Sequence, residues 1–100
     1  MSEIVYLDGE FMPLENARIP VLDRGFIFGD GIYEVIPVYS GHPFRLPEHL
    51  ARFQRSHDCI RIANPLTDAE WTRLVRDLIA RNGTQNLCFL CRRQPNRRYL

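Results

Sequence analysis

The 100-residue chain contains no lysine: all 13 of its basic residues are arginine. Chemistry that needs a lysine amine, such as Schiff-base formation, therefore cannot be completed by this chain. Long hydrophobic runs are also missing, the longest being a few residues, which argues against a membrane-spanning helix. The N-terminus Met1-Ser2-Glu3-Ile4 has neither a basic n-region nor an apolar h-region, so no signal peptide is expected. The three cysteines are odd in number and accompany no export signal, so reduced thiols and a cytoplasmic location are expected. Seven prolines and six glycines are too few for a linker or a collagen-like chain. No internal repeat or low-complexity segment is visible.

What is present fits one soluble globular domain. Hydrophobic residues make up 45% of the chain and charged residues 25%. That is enough for a core without disulfides or metal. Charge is unevenly spread. Residues 1–77 hold eight arginines against all 12 acids, whereas residues 78–100 hold five arginines and no acid. The body is acidic and the end basic.

Residues 4–7 and 10–12 flank Asp8-Gly9, a two-residue hairpin signal, because the tight turn needs positive φ. An irregular stretch follows from Pro13 to Asp30. Residues 32–39 are β-branched or aromatic at six positions and read as a strand, with Pro37 marking an edge, a bulge or a break. Ser40-Gly41 turns the chain, and residues 42–46 can return as the partner strand. Pro47 suits a first helical turn, and Leu46, Leu50, Phe53, His57 and Ile60 lie on one helical face. Thr67-Asp68-Ala69-Glu70 is a capping box ahead of the apolar stripe Trp71, Leu74, Val75, Leu78 and Ile79. Asn82-Gly83 is the stop signal. Residues 87–91 can begin a further strand. Hairpins followed by two helices predict an α+β fold, an antiparallel sheet of hairpins packed by two α-helices.

The segment Asp23-Arg24-Gly25-Phe26-Ile27-Phe28-Gly29-Asp30-Gly31 carries three glycines in seven residues, with two phenylalanines between them. This composition suggests a turn anchored in apolar surroundings. Its spacing fits neither Gly-x-Gly-x-x-Gly nor a P-loop, so phosphate binding by the loop itself has no generic support. As a whole string through Ile32-Tyr33-Glu34-Val35, however, it resembles the start of the fold-type IV pyridoxal-phosphate enzymes. These include D-amino acid and branched-chain aminotransferases and aminodeoxychorismate lyase. The resemblance continues through Pro47-Glu48-His49-Leu50-Ala51-Arg52-Phe53, Ile60-Arg61-Ile62 and the Trp71 helix, covering residues 4–83. Gly-Asp-Gly-Ile-Tyr-Glu-Val is most similar to the D-amino acid branch.

The resemblance implies a pyridoxal 5′-phosphate (PLP) enzyme that moves an amino group between an amino acid and a 2-oxo acid, homodimeric at full length. It implies that Arg52 grips the cofactor phosphate, for which a permanently charged fork of donors is suited. Taking the Leu46-to-Ile60 stripe as buried, Arg52 sits about 120° from its centre, on the shoulder of the helix, and Arg55 faces solvent. Tyr33 maps to a substrate-pocket tyrosine able to donate to a carboxylate. The family's lysine and its ring-nitrogen carboxylate belong to a second domain. The absence of lysine agrees with a small N-terminal domain alone, and residues 1–100 alone are expected to be inactive.

After Thr84 the pattern weakens. Arg93 and Arg98 could match two family arginines, but no glycine follows Arg93 and no histidine follows Arg98. Residues 1–85 are thus expected to form the domain and residues 86–100 a divergent or frame-shifted basic tail. Rival readings are weaker. His57-x-Cys59 with Cys88-x-x-Cys91 suggests zinc on paper, but positions 57 and 59 lie about 200° apart on one helix, so no metal site is expected. The three cysteines then read as small core residues. Arg92-Arg93 and Arg97-Arg98 could touch nucleic acid, yet the acidic body opposes it, and a solvated end is the expected reading. Neither nucleic acid nor a membrane is an expected partner. His42 and His49 have no identifiable triad partner. A stand-alone binding or dimerisation module is the alternative function.

Overall fold

The computed structural model describes residues 3–83 and 87–92. Among these the fold is α+β: three antiparallel two-stranded ribbons carry two long helices and one short one. The first ribbon pairs β1 (Ile4–Leu7) with β2 (Glu10–Pro13), and both turn residues take positive φ, 49° at Asp8 and 92° at Gly9. That is the hairpin expected from the Asp-Gly pair.

The glycine-rich segment differs from expectation. It contains a short helix, α1 (Arg24–Phe28), whose N-cap Asp23 accepts from the Gly25 amide at 3.0 Å. Phe26 and Phe28 are not anchored in apolar surroundings but are 69% and 67% exposed. A helix this short shows most of its side chains on its outer face, and here that face is apolar.

The expected strand over residues 32–39 is divided at Pro37, which has no amide to offer a ladder. Its first part, β3 (Gly31–Ile36), does not pair with residues 42–46. It pairs antiparallel with the last strand of the described chain, Leu87–Arg92, Glu34 opposite Phe89. The Ser40-Gly41 turn closes only a short ladder, β4 (Val38–Tyr39) with β5 (His42–Pro43), so Leu87–Arg92 is β6.

Helix α2 (Leu46–Ile60) and helix α3 (Asp68–Asn82) follow the sequence closely. In α2 the buried residues are Leu46, Leu50, Phe53 and His57, four of the five in the expected stripe; Ile60, at the helix end, is only half-buried. At the start of α3 both halves of the capping box form. The Glu70 amide donates to Thr67 Oγ1 at 3.2 Å and the Thr67 amide to Glu70 Oε1 at 2.9 Å. At its end the Asn82 side chain bonds both backbone groups of Ile4, accepting from its amide at 2.7 Å and donating to its carbonyl at 2.8 Å. One core joins the elements: Ile36, Leu46, Leu50, Phe53, Trp71, Leu74, Val75 and Phe89. Phe53 meets the rings of His57, Trp71 and Phe89 at centroid distances of 4.5, 5.4 and 5.9 Å.

Candidate functional site

Side chains alternate across a strand, so Ile32, Glu34 and Ile36 of β3 point toward the helices and Tyr33 and Val35 point away. This places a carboxylate among core positions: Glu34 is only 4% exposed. A buried carboxylate without partners is costly, and α2 supplies two. His49 and Arg52 stand three residues apart and therefore share a helix face. Both reach Glu34. Arg52 Nε donates to Glu34 Oε2 at 3.0 Å and Oε1 at 3.2 Å, Arg52 Nη2 donates to Oε1, and His49 Nδ1 lies 2.7 Å from Oε1. An ionised carboxylate only accepts, so the His49 proton sits on Nδ1.

The Arg52 hydrogen bonds, aided by His49, hold the Glu34 carboxyl below its ordinary range although burial opposes this; the Arg52 guanidinium is shifted upward in turn. Glu34 titrates lower when folded than its ordinary value of 4.5. Its contribution is therefore complete above that value and disappears as pH falls through the depressed folded value. Urea midpoints followed from about pH 7 to about pH 3 should fall more steeply for the wild-type chain than for Glu34→Gln. Parallel curves would show that Glu34 contributes no such linkage.

Of the expected site residues, Arg52 lies on the helix shoulder as anticipated, its side chain 60% exposed despite the buried partner. Tyr33 is not a core tyrosine: it is 68% exposed. The structure does not bring Tyr33 into the Glu34 cluster, because neighbouring strand residues face opposite ways. Tyr33 instead lies opposite Leu90, and Val35 opposite Cys88, so the outer face of the β3–β6 ribbon is apolar and exposed. The sequence does not mark Glu34 and His49 as a pair. The signal it offers is an acid at an inward-facing position of an otherwise apolar strand.

A second charge cluster lies at the end of β6. Arg92 Nε donates to Asp23 Oδ2 at 2.6 Å and Nη2 to Asp8 Oδ2 at 3.0 Å. Arg92 is thus not part of a solvated basic end, since its side chain is 12% exposed and clamped between two carboxylates. Arg93 and Arg98 lie outside the described residues.

Of the three cysteines expected in the core, only Cys91 packs against it. Cys59 and Cys88 are exposed and only Cys91 is half-buried. Burial pushes the Cys91 thiol up to about 11 against the pull of Arg92. It therefore stays protonated at neutral pH. Among the described residues no group of three or more His, Cys, Asp or Glu side chains could hold a metal ion. His57 is fully buried and Cys59 exposed, as their angular separation requires. A groove of about 950 Å³ opens elsewhere, between β1, α3 and β6, lined by Tyr6, Trp71, Leu74, Leu78, Phe89 and Arg92; neither Arg52 nor Tyr33 borders it. Among the described residues no helix is long and apolar enough to cross a membrane.

Known proteins share the sequence and the fold of this chain. The family model described as "Amino-transferase class IV" matches residues 31–99. The chain is 43% identical over 82 residues to a D-alanine aminotransferase of Staphylococcus epidermidis, covering 82% of this chain and 29% of that protein. It superimposes on the branched-chain aminotransferase of Thermoproteus uzoniensis, crystallised with norvaline, with a TM-score of 0.82 and 28% identity; 97% of this chain and 35% of that one are covered. A T.th. branched-chain amino acid aminotransferase complexed with N-(5′-phosphopyridoxyl)-L-glutamate gives a TM-score of 0.77 at 26% identity, covering 90% of this chain and 32% of that one. The chain thus spans about a third of the length of these relatives. Over that length, fold and sequence agree, and the chain belongs to the class IV aminotransferase family.

Proposed function

We propose that this chain is the N-terminal portion of a PLP-dependent aminotransferase of the D-amino acid type, and that Arg52 binds the phosphate of the cofactor. The observation that carries the reading is the state of Arg52. One edge of its guanidinium is fixed on a buried carboxylate while most of its side chain remains open to solvent. An exposed, permanently charged fork of this kind fits a phosphate dianion. The cofactor of the full-length enzyme is pyridoxal phosphate, which supplies the electron sink for moving an amino group between an amino acid and a 2-oxo acid. The similarity to D-alanine aminotransferases supports the D-amino acid branch.

Tyr33 is the proposed substrate-side residue: its exposed hydroxyl on the outer face of β3 can donate to a substrate carboxylate. Residues 1–85, joined by β6, form the proposed domain. The apolar outer face around Tyr33, Val35 and Leu90 is the surface that a second domain covers in a full-length, cytoplasmic homodimer. The chain has no lysine, so on its own it binds cofactor without completing transamination.

Binding of pyridoxamine 5′-phosphate, which needs no lysine linkage, tests the phosphate role. Arg52→Ala should raise its Kd about tenfold, equivalent to about 1.4 kcal/mol. Binding of pyridoxamine, which lacks the phosphate, should not change. Equal affinity of wild type and Arg52→Ala for the phosphorylated ligand would overturn the reading.

A further inference from the structure

We propose that Glu34 and His49 are positioning residues that select which edge of the Arg52 guanidinium meets the phosphate; this rests on the phosphate role of Arg52 given above. A guanidinium carries five N–H donors in a rigid plane. Glu34 occupies the side edge, taking the Nε donor and one donor on Nη2. Of the donors that remain, one on Nη1 and one on Nη2 form the end of the fork, and the second on Nη1 points to the Cδ side. Arg52 therefore meets an anion end-on, in one orientation, and not through its side edge.

Glu34 can hold this orientation because it is itself held. It projects from a ladder-paired strand, is 4% exposed, and is gripped at Oε1 by His49 Nδ1 at 2.7 Å. His49 has a side chain only 15% exposed and stands one helical turn before Arg52. The spacing of the Glu-His-x-x-Arg segment thus has a mechanical meaning: it puts a second donor on the same carboxylate that orients the arginine. Without the carboxylate, a largely exposed arginine side chain would sample many rotamers and lose that freedom on binding.

Positioning and simple electrostatics require effects of opposite sign. Glu34 is a negative charge beside a site for a dianion, so field strength alone requires that its removal tighten phosphate binding. Positioning requires that its removal weaken it. For the full 100-residue chain with pyridoxamine 5′-phosphate as probe, Glu34→Gln is expected to raise Kd about tenfold and His49→Ala about threefold. Glu34→Asp keeps the charge but shortens the reach, and should behave like Glu34→Gln. In ¹⁵N spectra the Arg52 Nε–H should be resolved and slow to exchange in the wild type, and lost in Glu34→Gln without any ligand present.

Unchanged or tighter binding by Glu34→Gln, or a Glu34→Asp chain that binds like wild type, would overturn the positioning role and leave the phosphate role of Arg52 standing. Wild-type affinity in Arg52→Ala would overturn the phosphate role itself. Circular dichroism of each variant checks folding. Where Glu34→Gln fails to fold, His49→Ala decides, because Glu34 and Arg52 both remain in it. An unaltered Arg52 Nε–H signal and unaltered Kd in that variant would overturn the assignment.

Discussion

Phe53→Ala is expected to remove about 3–5 kcal/mol of stability, the range for truncating a fully buried aromatic residue. Phe53 is 0% exposed and its ring is shared by three others: His57 on its own helix, Trp71 on α3 and Phe89 on β6. Removing it separates three elements at once, because Trp71 and Phe89 stack with centroids 4.9 Å apart and both rest on the lost ring. Small domains are marginally stable, with total stabilities of about 5–15 kcal/mol. The variant should thus lose much of its cooperative urea transition. Phe53→Leu, which keeps most of the volume, should cost about 1.5 kcal/mol or less. A Phe53→Ala midpoint within error of wild type would show that the four rings do not form one core.

Gly31→Ala is expected to be the most damaging change within the glycine-rich segment. A Cβ at Gly31 would lie 2.9 Å from the Cys91 carbonyl oxygen and 3.2 Å from Arg92 Cα, both backbone atoms of the strand it pairs with. Neither can yield without opening the β3–β6 ladder. Overpacking of this kind costs about 1–3 kcal/mol. Gly25 is similar, its Cβ 2.8 Å from Arg92 Cβ, and here two effects compete. Alanine gains about 1 kcal/mol of helix propensity over glycine, but the clash is with the root of a side chain clamped to Asp8 and Asp23, so the clash prevails. Gly29 provides the contrast. Its φ is 62° and a Cβ there would meet nothing within 4 Å. Gly29→Ala therefore costs only the backbone strain, about 1–2 kcal/mol. Thermal melts should rank Gly31→Ala least stable; Gly29→Ala as the lowest of the three would refute the close-approach account.

Helix boundaries are legible in the sequence because their signals are local. The Thr67–Glu70 box, the Asn82-Gly83 stop and the Leu46-to-Ile60 stripe each rest on residues a few positions apart. The pairing of β3 is not legible. Residues 42–46 are near in sequence and follow a good turn, yet Pro37 ends the ladder, and the true partner lies at the far end of the described chain, at β6. The candidate site is half legible. Arg52 comes from a resemblance, and its place on the helix shoulder from periodicity. Glu34 escapes notice because a single acid in a strand gives no sign of which helix will face it. The exposure of Phe26 and Phe28 is hidden because aromatic residues in a glycine-rich turn indicate contact without saying whether the contact lies within the same domain. Arg92 is hidden for a related reason: its partners Asp8 and Asp23 are 84 and 69 residues away.

These last separations bear on the order in which the molecule is assembled. Both carboxylates that Arg92 joins, and the whole of β3, leave the ribosome long before residues 87–92 do. Until then the first hairpin can close on its own turn and the two long helices can pack, since their contacts are local. β3, by contrast, has an unpaired edge, an apolar outer face and an inward carboxylate awaiting its helix. Contacts that close large loops form late and slowly, and unpaired strand edges are open to association in the interval. The emergence of β6 is therefore the committing event for this domain. It supplies the partner of β3, the Phe89 ring of the core and the clamp on the glycine-rich segment in a single short stretch. A nascent chain stalled before that stretch should be held by chaperones, and one stalled well beyond it released.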